Sequence, residues 1–176
     1  MSDPAPKAQA FGNARLSAAR TLELASLAAT GRLARRLAPH LRPGDAIGLK
    51  GPLGIGKTAF ARALIRAALG PSDVAEDVPS PTFTLVQTYD VPACGGATLF
   101  HFDLYRLTRP EDAYELGIED AFADGISLIE WPERLGSLLP QDRLDLELSM
   151  GKRPAARRAR LTGHGSWAQR LERILP

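Results

Sequence analysis

The segment Gly51-Pro52-Leu53-Gly54-Ile55-Gly56-Lys57-Thr58 fits G-x-x-x-x-G-K-[ST] at every required position. Glycines open backbone conformations closed to other residues, so successive N–H groups can converge on phosphate oxygens, and a following helix adds the positive end of its dipole. Lys57 is placed to bridge the terminal phosphates of a nucleotide. Thr58 offers a hydroxyl to magnesium, a cation that takes oxygen ligands in near-octahedral geometry and usually keeps several waters. The chemistry implied is binding of ATP with Mg2+, with Leu53, Gly54, Ile55 and Gly56 contributing backbone and Lys57 and Thr58 contributing side chains. A glycine-rich turn could match the pattern by composition alone. This one follows the apolar run Ala46–Leu49 and opens an amphipathic helix, which is the context the motif needs to work.

A phosphate loop does not define a reaction, and the choice among reactions falls to carboxylates. Ile126-Ser-Leu-Ile129-Glu130 puts an acid at the carboxyl end of a buried strand, where parallel α/β sheets gather their ligand groups. Glu130 could hold magnesium directly or through water, or polarise an attacking water; the alternative is an acid that merely meets solvent. Asp103, in His101-Phe-Asp103-Leu-Tyr-Arg106, ends another strand and would share a face with His101 and Tyr105 if the strand continued. It is either a second contact near the phosphate end or half of an ion pair with Arg106. His101 reads as a hydrogen-bonded structural residue, since no nucleophile needs it as a base. Ser80-Pro-Thr82-Phe-Thr84 is hydroxyl-rich and stiffened by Pro81, which suits either a segment sensing the γ-phosphate or a plain strand-entry turn. Trp131, before Pro132, is a wall beside the nucleotide or a core residue.

The elements that must position these groups are read from periodicity and punctuation. Residues Met1 to Ser17 lack periodicity and read as a mobile leader, with one domain from residue 18 to 176. Thr21–Leu24 suits a short strand, and Ser26 a cap for a helix that turns Leu27, Leu33, Leu37 and Ala38 toward a core until Pro39 and Pro43–Gly44. Ala59–Leu69 reads as a helix with Phe60, Ala63, Leu64 and Ala67 inward, ended by Gly70–Pro71. Val74–Pro79 is expected to be irregular. Phe83–Tyr89 and Thr98–Phe102 flank Pro92–Gly96 as a hairpin, and Thr108-Arg-Pro-Glu111 resembles a capping box opening a helix through Leu116. Leu144, Leu146 and Leu148 alternate with polar residues, predicting a strand with one wet face that pairs with Ala156–Thr162. Ser166–Leu175 closes the chain as a helix with Trp167, Leu171 and Ile174 on one side. Strands alternating with helices predict a three-layer α/β domain of P-loop NTPase type, its central sheet mostly parallel with some antiparallel strands.

Composition sets the outer bounds. At 176 residues and 44% hydrophobic positions the chain has room for one core of ordinary size. Its single cysteine, Cys94, cannot form an internal disulfide, and there is neither a long apolar run nor a cleavable signal, so a reducing cytoplasm is the expected address. The formal charge of +2 is too small to argue for nucleic acid by itself. Residues 151–176 nevertheless carry seven Lys or Arg against one acid, which fits contact with RNA, an acidic partner surface, or a solvated strand and helix face.

The segments LKGPLGIGKTAFARAL, VPSPTFTLVQTY, FHFDLYRL, ELGIED and LIEWPER, in this order from Leu49 to Arg134, resemble the successive blocks of the TsaE family, formerly called YjeE. Upstream, Thr30 before Gly31 fits the family's early threonine near the adenine. The resemblance implies a small P-loop ATPase that works with the proteins TsaD and TsaB, whose assembly transfers a threonylcarbamoyl group to an adenosine beside the tRNA anticodon. It implies that Lys57 contacts phosphate, Thr58 and Glu130 bind magnesium, Asp103 supports hydrolysis, Ser80–Thr84 with Thr82 is switch-like, and Trp131 lies near the nucleotide. One departure concerns the loop. Pro52 stands where the family usually has Asp, and lacks the N–H that could make a contact in the first turn. The enzymatic rival is a small-molecule or nucleotide kinase, which would need an acceptor pocket and an arginine-rich lid; only Arg106 and Arg109 lie between Arg66 and Arg134.

Overall fold

Short apolar runs at the centre and alternating segments at the edges form seven strands, and the computed structural model describes residues 17–70 and 78–175. The strands are β1 (Ser17–Leu24), β2 (Ala46–Lys50), β3 (Val86–Val91), β4 (Ala97–Asp103), β5 (Ile126–Glu130), β6 (Arg143–Met150) and β7 (Arg157–His164). Helices are α1 (Leu27–Leu37), α2 (Lys57–Leu69), α3 (Ile118–Ala123) and α4 (Ser166–Ile174), with short helical turns at Ala38–His40, Pro92–Cys94, Pro110–Leu116 and Pro132–Leu138. One mixed sheet has the order β1-β7-β6-β2-β5-β4-β3.

The sheet is α/β but less parallel than predicted. Pairs β6–β2, β2–β5 and β5–β4 are parallel, whereas β1–β7, β7–β6 and β4–β3 are antiparallel. Short connections cause two of these, because only a longer crossover can return a chain to a parallel neighbour and β3–β4 and β6–β7 are joined by five and six residues. The parallel trio β2, β5 and β4 carries the strand ends that matter for the site.

Two apolar clusters lie on opposite sides of the sheet, so neighbouring residues of one strand feed different clusters. Leu128 joins Phe60, Leu64, Leu33 and Trp167 beneath α1, α2 and α4, while Ile129 joins Phe102, Leu104, Ile118 and Leu135. Strand β5 is buried at all five positions, as its uninterrupted apolar run predicts. Each fully buried Phe60 or Leu64 contributes roughly 1.5–3 kcal/mol, which presses α2 and the loop that opens it against β2.

Local predictions are borne out with shifts of register. Ser26 caps α1 by accepting from Ala29 N, and Leu33, Leu37 and Ala38 are buried, but Leu27 is 70% exposed because it is the first helical residue and points away from the sheet. In α2 the inward positions are Phe60, Ala61, Leu64, Ile65 and Ala68; Ala63 and Ala67 are only partly buried. Strand β1 starts at Ser17 rather than Thr21, extended by its pairing with β7. Strand β3 starts at Val86 rather than Phe83, which is exposed in the turn before it. The box before Pro110 uses Asp112 and not Glu111: the Thr108 hydroxyl and Arg109 N both donate to Asp112 Oδ2. The expected leader, apart from Ser17, and residues 74–77 of the expected irregular stretch lie outside the described residues. Among the described residues no helix is long and apolar enough to cross a membrane.

Candidate functional site

Strand β2 delivers the chain into the loop, and the loop is held from two sides. A Cβ on Gly51 would stand 2.4 Å from the Leu148 carbonyl oxygen of β6, and its φ is 130°, so only glycine lets the chain leave β2 here. From β7, Arg157 Nε donates to the Ile55 carbonyl at 2.8 Å. No side chain caps α2, whose N-cap is Gly56 at φ 116°, so its first-turn N–H groups are left for a ligand beside the hollow formed by Leu53, Gly54, Gly56, Lys57, Thr58, Thr82, Asp103, Tyr105, Glu130 and Trp131. A second hollow shares Gly54 and Gly56 with the first and is lined by Ser26, Leu27, Thr30, Ile55, Ala59, Leu148, Ala155 and Arg157. All the sequence-predicted site residues therefore line one of two adjoining hollows: polar and acidic beyond Lys57, largely apolar around Thr30 and Ile55.

Lys57 is 4% exposed, and its Nζ donates to the carbonyls of Gly51 (2.7 Å) and Pro52 (2.9 Å) while standing 3.8 Å from the centre of the Trp131 ring. Burial pushes this ammonium below its ordinary 10.5, against the pull of Glu130, Glu133 and Asp103. Pro52 thus contributes through its carbonyl, which accepts from Ile55 N as well.

The acids sit on neighbouring parallel strands. Register pairs Asp103 with Glu130 at the carboxyl ends of β4 and β5. Glu130 is 2% exposed, and its Oε2 accepts from the Thr58 hydroxyl at 2.8 Å. Its other oxygen, Oε1, is 3.0 Å from His101 Nε2. Asp103, 5% exposed, accepts from the Thr82 hydroxyl at 2.8 Å and from Tyr105 N at 3.2 Å. Its ion-pair alternative is not formed: Arg106 lies over the Phe83 ring, 4.8 Å from its centre. Thr82 is also hydrogen-bonded to Ser80, so the segment predicted as switch-like is tied to the site through Asp103.

Trp131 packs against Tyr105 with ring centres 5.0 Å apart. Its backbone is left-handed at φ 61°, and Leu85, which follows the Ser80–Thr84 segment at φ 65°, is the other non-glycine with positive φ among the described residues. Such conformations cost about 1–3 kcal/mol and collect where surrounding structure enforces a functional geometry. Trp131 lines the hollow, and the Leu85 carbonyl accepts from the backbone N–H of Asp103, which also lines it. Sequence reasoning missed the His101–Glu130 bond, Tyr105 as a lining residue and the Arg157 brace. Tyr105 had a signal in its alternation with His101 and Asp103, whereas the other two depend on strand register that no local pattern encodes.

The donor set fits magnesium in kind. Thr58, Thr82, Asp103 and Glu130 offer only oxygen, and no group of three or more His, Cys, Asp or Glu capable of holding a metal unaided occurs among the described residues. Magnesium characteristically takes one or two protein oxygens and completes its shell with phosphates and water.

The family model described as threonylcarbamoyl adenosine biosynthesis protein TsaE matches residues 24–159, a span that contains every residue of both hollows. The tRNA threonylcarbamoyladenosine biosynthesis protein TsaE of Rickettsia bellii is 40% identical over 121 residues, covering 69% of this chain and 80% of its own length. That of Bacillus subtilis is 35% identical over 118 residues, 66% of this chain and 69% of its own. A crystal structure of Bacillus subtilis YdiB matches with a TM-score of 0.70 at 25% identity, over 90% of this chain and 95% of that one. The chain belongs to the TsaE family of tRNA threonylcarbamoyladenosine biosynthesis proteins.

Proposed function

We propose that this chain is the ATP-binding and ATP-hydrolysing member of the tRNA threonylcarbamoyladenosine-forming system, a cytoplasmic protein acting on TsaD and TsaB to sustain their turnover. The observation that carries this reading is the Thr58–Glu130 hydrogen bond beside Lys57, with Asp103 in register with Glu130. A hydroxyl and a carboxylate already joined at the head of α2 are what magnesium needs beside a phosphate chain.

In this reading the loop amides and Lys57 bind the phosphates, and the hollow around Thr30, Ile55 and Leu148 takes the base. Thr58 and Glu130 would hold magnesium, which supplies charge neutralisation to the terminal phosphates. Asp103 accepts a hydrogen bond from the attacking water and orients it, and Thr82 reports the state of the site through its bond to Asp103. Trp131 and Tyr105 shield the Lys57 side from solvent. Apart from Lys57, no cation among the described residues lines this hollow, which favours slow hydrolysis awaiting a partner over phosphoryl transfer to a small acceptor.

The test is ATP turnover by the purified chain with and without TsaD and TsaB, together with two variants. Lys57→Ala abolishes ATP binding, while Glu130→Ala still binds ATP and loses magnesium-dependent hydrolysis by about a hundredfold or more. Absence of stimulation by either protein would remove the partner assignment. Phosphate transfer that depends on an added acceptor would replace the reading with that of a kinase.

A further inference from the structure

His101 is fully buried and lines neither hollow. The register that pairs Asp103 with Glu130 pairs His101 with Leu128, so the imidazole and the Glu130 carboxylate project from the same face of adjacent strands. Nε2 lies 3.0 Å from Glu130 Oε1, and Nδ1 is buried with no partner among the described residues. These two facts fix the proton. An N–H at Nδ1 would be buried without an acceptor, whereas an N–H at Nε2 meets a carboxylate oxygen, so Nε2 is the nitrogen that donates to Glu130. Glu130 is then gripped from both sides, Oε1 by His101 and Oε2 by Thr58. It cannot turn out of this orientation without breaking one of these bonds, so one of its oxygens is kept facing the head of α2.

We propose that His101 is a positioning residue for the magnesium site: its donated hydrogen bond fixes the Glu130 carboxylate so that Oε2 faces Thr58. The inference rests on Glu130 and Thr58 forming that site. Partners of this kind, one shell behind a metal-binding carboxylate, hold its orientation and thereby the affinity of the site.

The experiment is calorimetric titration of the full chain with ATP, in chelator and across a magnesium series, for the wild type, His101→Leu and His101→Gln. Glutamine places an amide donor where Nε2 stands; leucine fills the volume without one. The expected result is an apparent magnesium affinity reduced by about tenfold or more in His101→Leu, largely restored in His101→Gln, with ATP affinity in chelator unchanged throughout. A histidine needed only for packing would alter thermal stability and leave the magnesium dependence alone. Wild-type magnesium dependence in His101→Leu, or equal losses in both variants, overturns the proposal. Wild-type protein whose ATP affinity ignores magnesium overturns the magnesium reading itself. Should the variants not fold, nitrogen–proton correlation spectra of the wild type decide, since the chain has three histidines and His40 and His164 can be removed for assignment. A proton on Nε2 of His101 is expected, and a proton on Nδ1 refutes the assignment.

Discussion

Trp131 concentrates several of the forces acting at the site. Its indole lies 3.8 Å from Lys57 Nζ and its backbone is held at φ 61°, ψ 50°. A cation over an indole face contributes about 0.5–2 kcal/mol depending on its exposure, which offsets much of the cost of that backbone. The contact ties the ring to the ammonium that phosphates would engage, so its surroundings must change when they arrive. The other tryptophan, Trp167, is 1% exposed in the core under α4. Addition of ATP and magnesium is therefore expected to change tryptophan emission in the wild type and leave Trp131→Phe without a change. A signal that persists in Trp131→Phe would belong to Trp167 and would take Trp131 out of the nucleotide's reach.

Elements differ in how openly the sequence declares them. The phosphate loop, β2 and β5 were legible because each is local: a fixed glycine and lysine spacing, and short apolar runs between turns. Strand β6 was legible from its alternating leucines, and α4 from Trp167, Leu171 and Ile174 at helical spacing, all three buried. What could not be read is pairwise and distant. The bond between His101 and Glu130 requires β4 beside β5 in one register, and the antiparallel pairing of β1 with β7 joins strands far apart in the chain. Even a local signal slipped where two acids compete, since Asp112 and not Glu111 completes the cap before Pro110. Helix α4 also shows a constraint written in one residue. A Cβ on Gly163 of β7 would lie 2.4 Å from the Trp167 carbonyl oxygen and 2.9 Å from Ala168 N, both backbone atoms that cannot turn aside. Gly163→Ala must push α4 off the sheet, at a cost of about 1–3 kcal/mol. Urea unfolding should show a lower midpoint with ATP binding retained, because the loop is seated on β2, β6 and β7 rather than on α4. Unchanged stability would mean that α4 is not packed against Gly163.

Across the whole molecule the sheet has a parallel trio covered on both faces, with β3 on one side of it and on the other an extension of β6, β7 and β1 with a wet outer face. On that face Arg158 stands opposite Glu23 and Arg160 opposite Glu147, so two cations of the basic C-terminal segment face acids of neighbouring strands. Asp145 lies at the seam. It accepts hydrogen bonds from Lys50 of β2 (2.9 Å) and from Arg143 of its own strand (3.0 Å), and stands 3.1 Å from His164 of β7. Burial alone would raise its pKa, but the hydrogen bonds and charges of Arg143 and Lys50 outweigh that and hold the carboxyl below its ordinary 3.8. The sign comes from linkage: the fold binds the ionised form more tightly than the unfolded chain does, so the stabilisation is complete above the unfolded value and is lost as pH falls through the folded one. Replacement by Asp145→Asn leaves three cationic or polar partners facing an amide. At neutral pH it should cost roughly 2–3 kcal/mol, less than breaking a fully buried pair because Lys50 is one-third exposed. Urea unfolding of both proteins from pH 7 to pH 3 would then show a constant gap above about pH 4 that narrows below it as the wild type loses its charge. A gap that stayed the same throughout would mean that the charge of Asp145 adds nothing to the backbone pairing of β2 with β6.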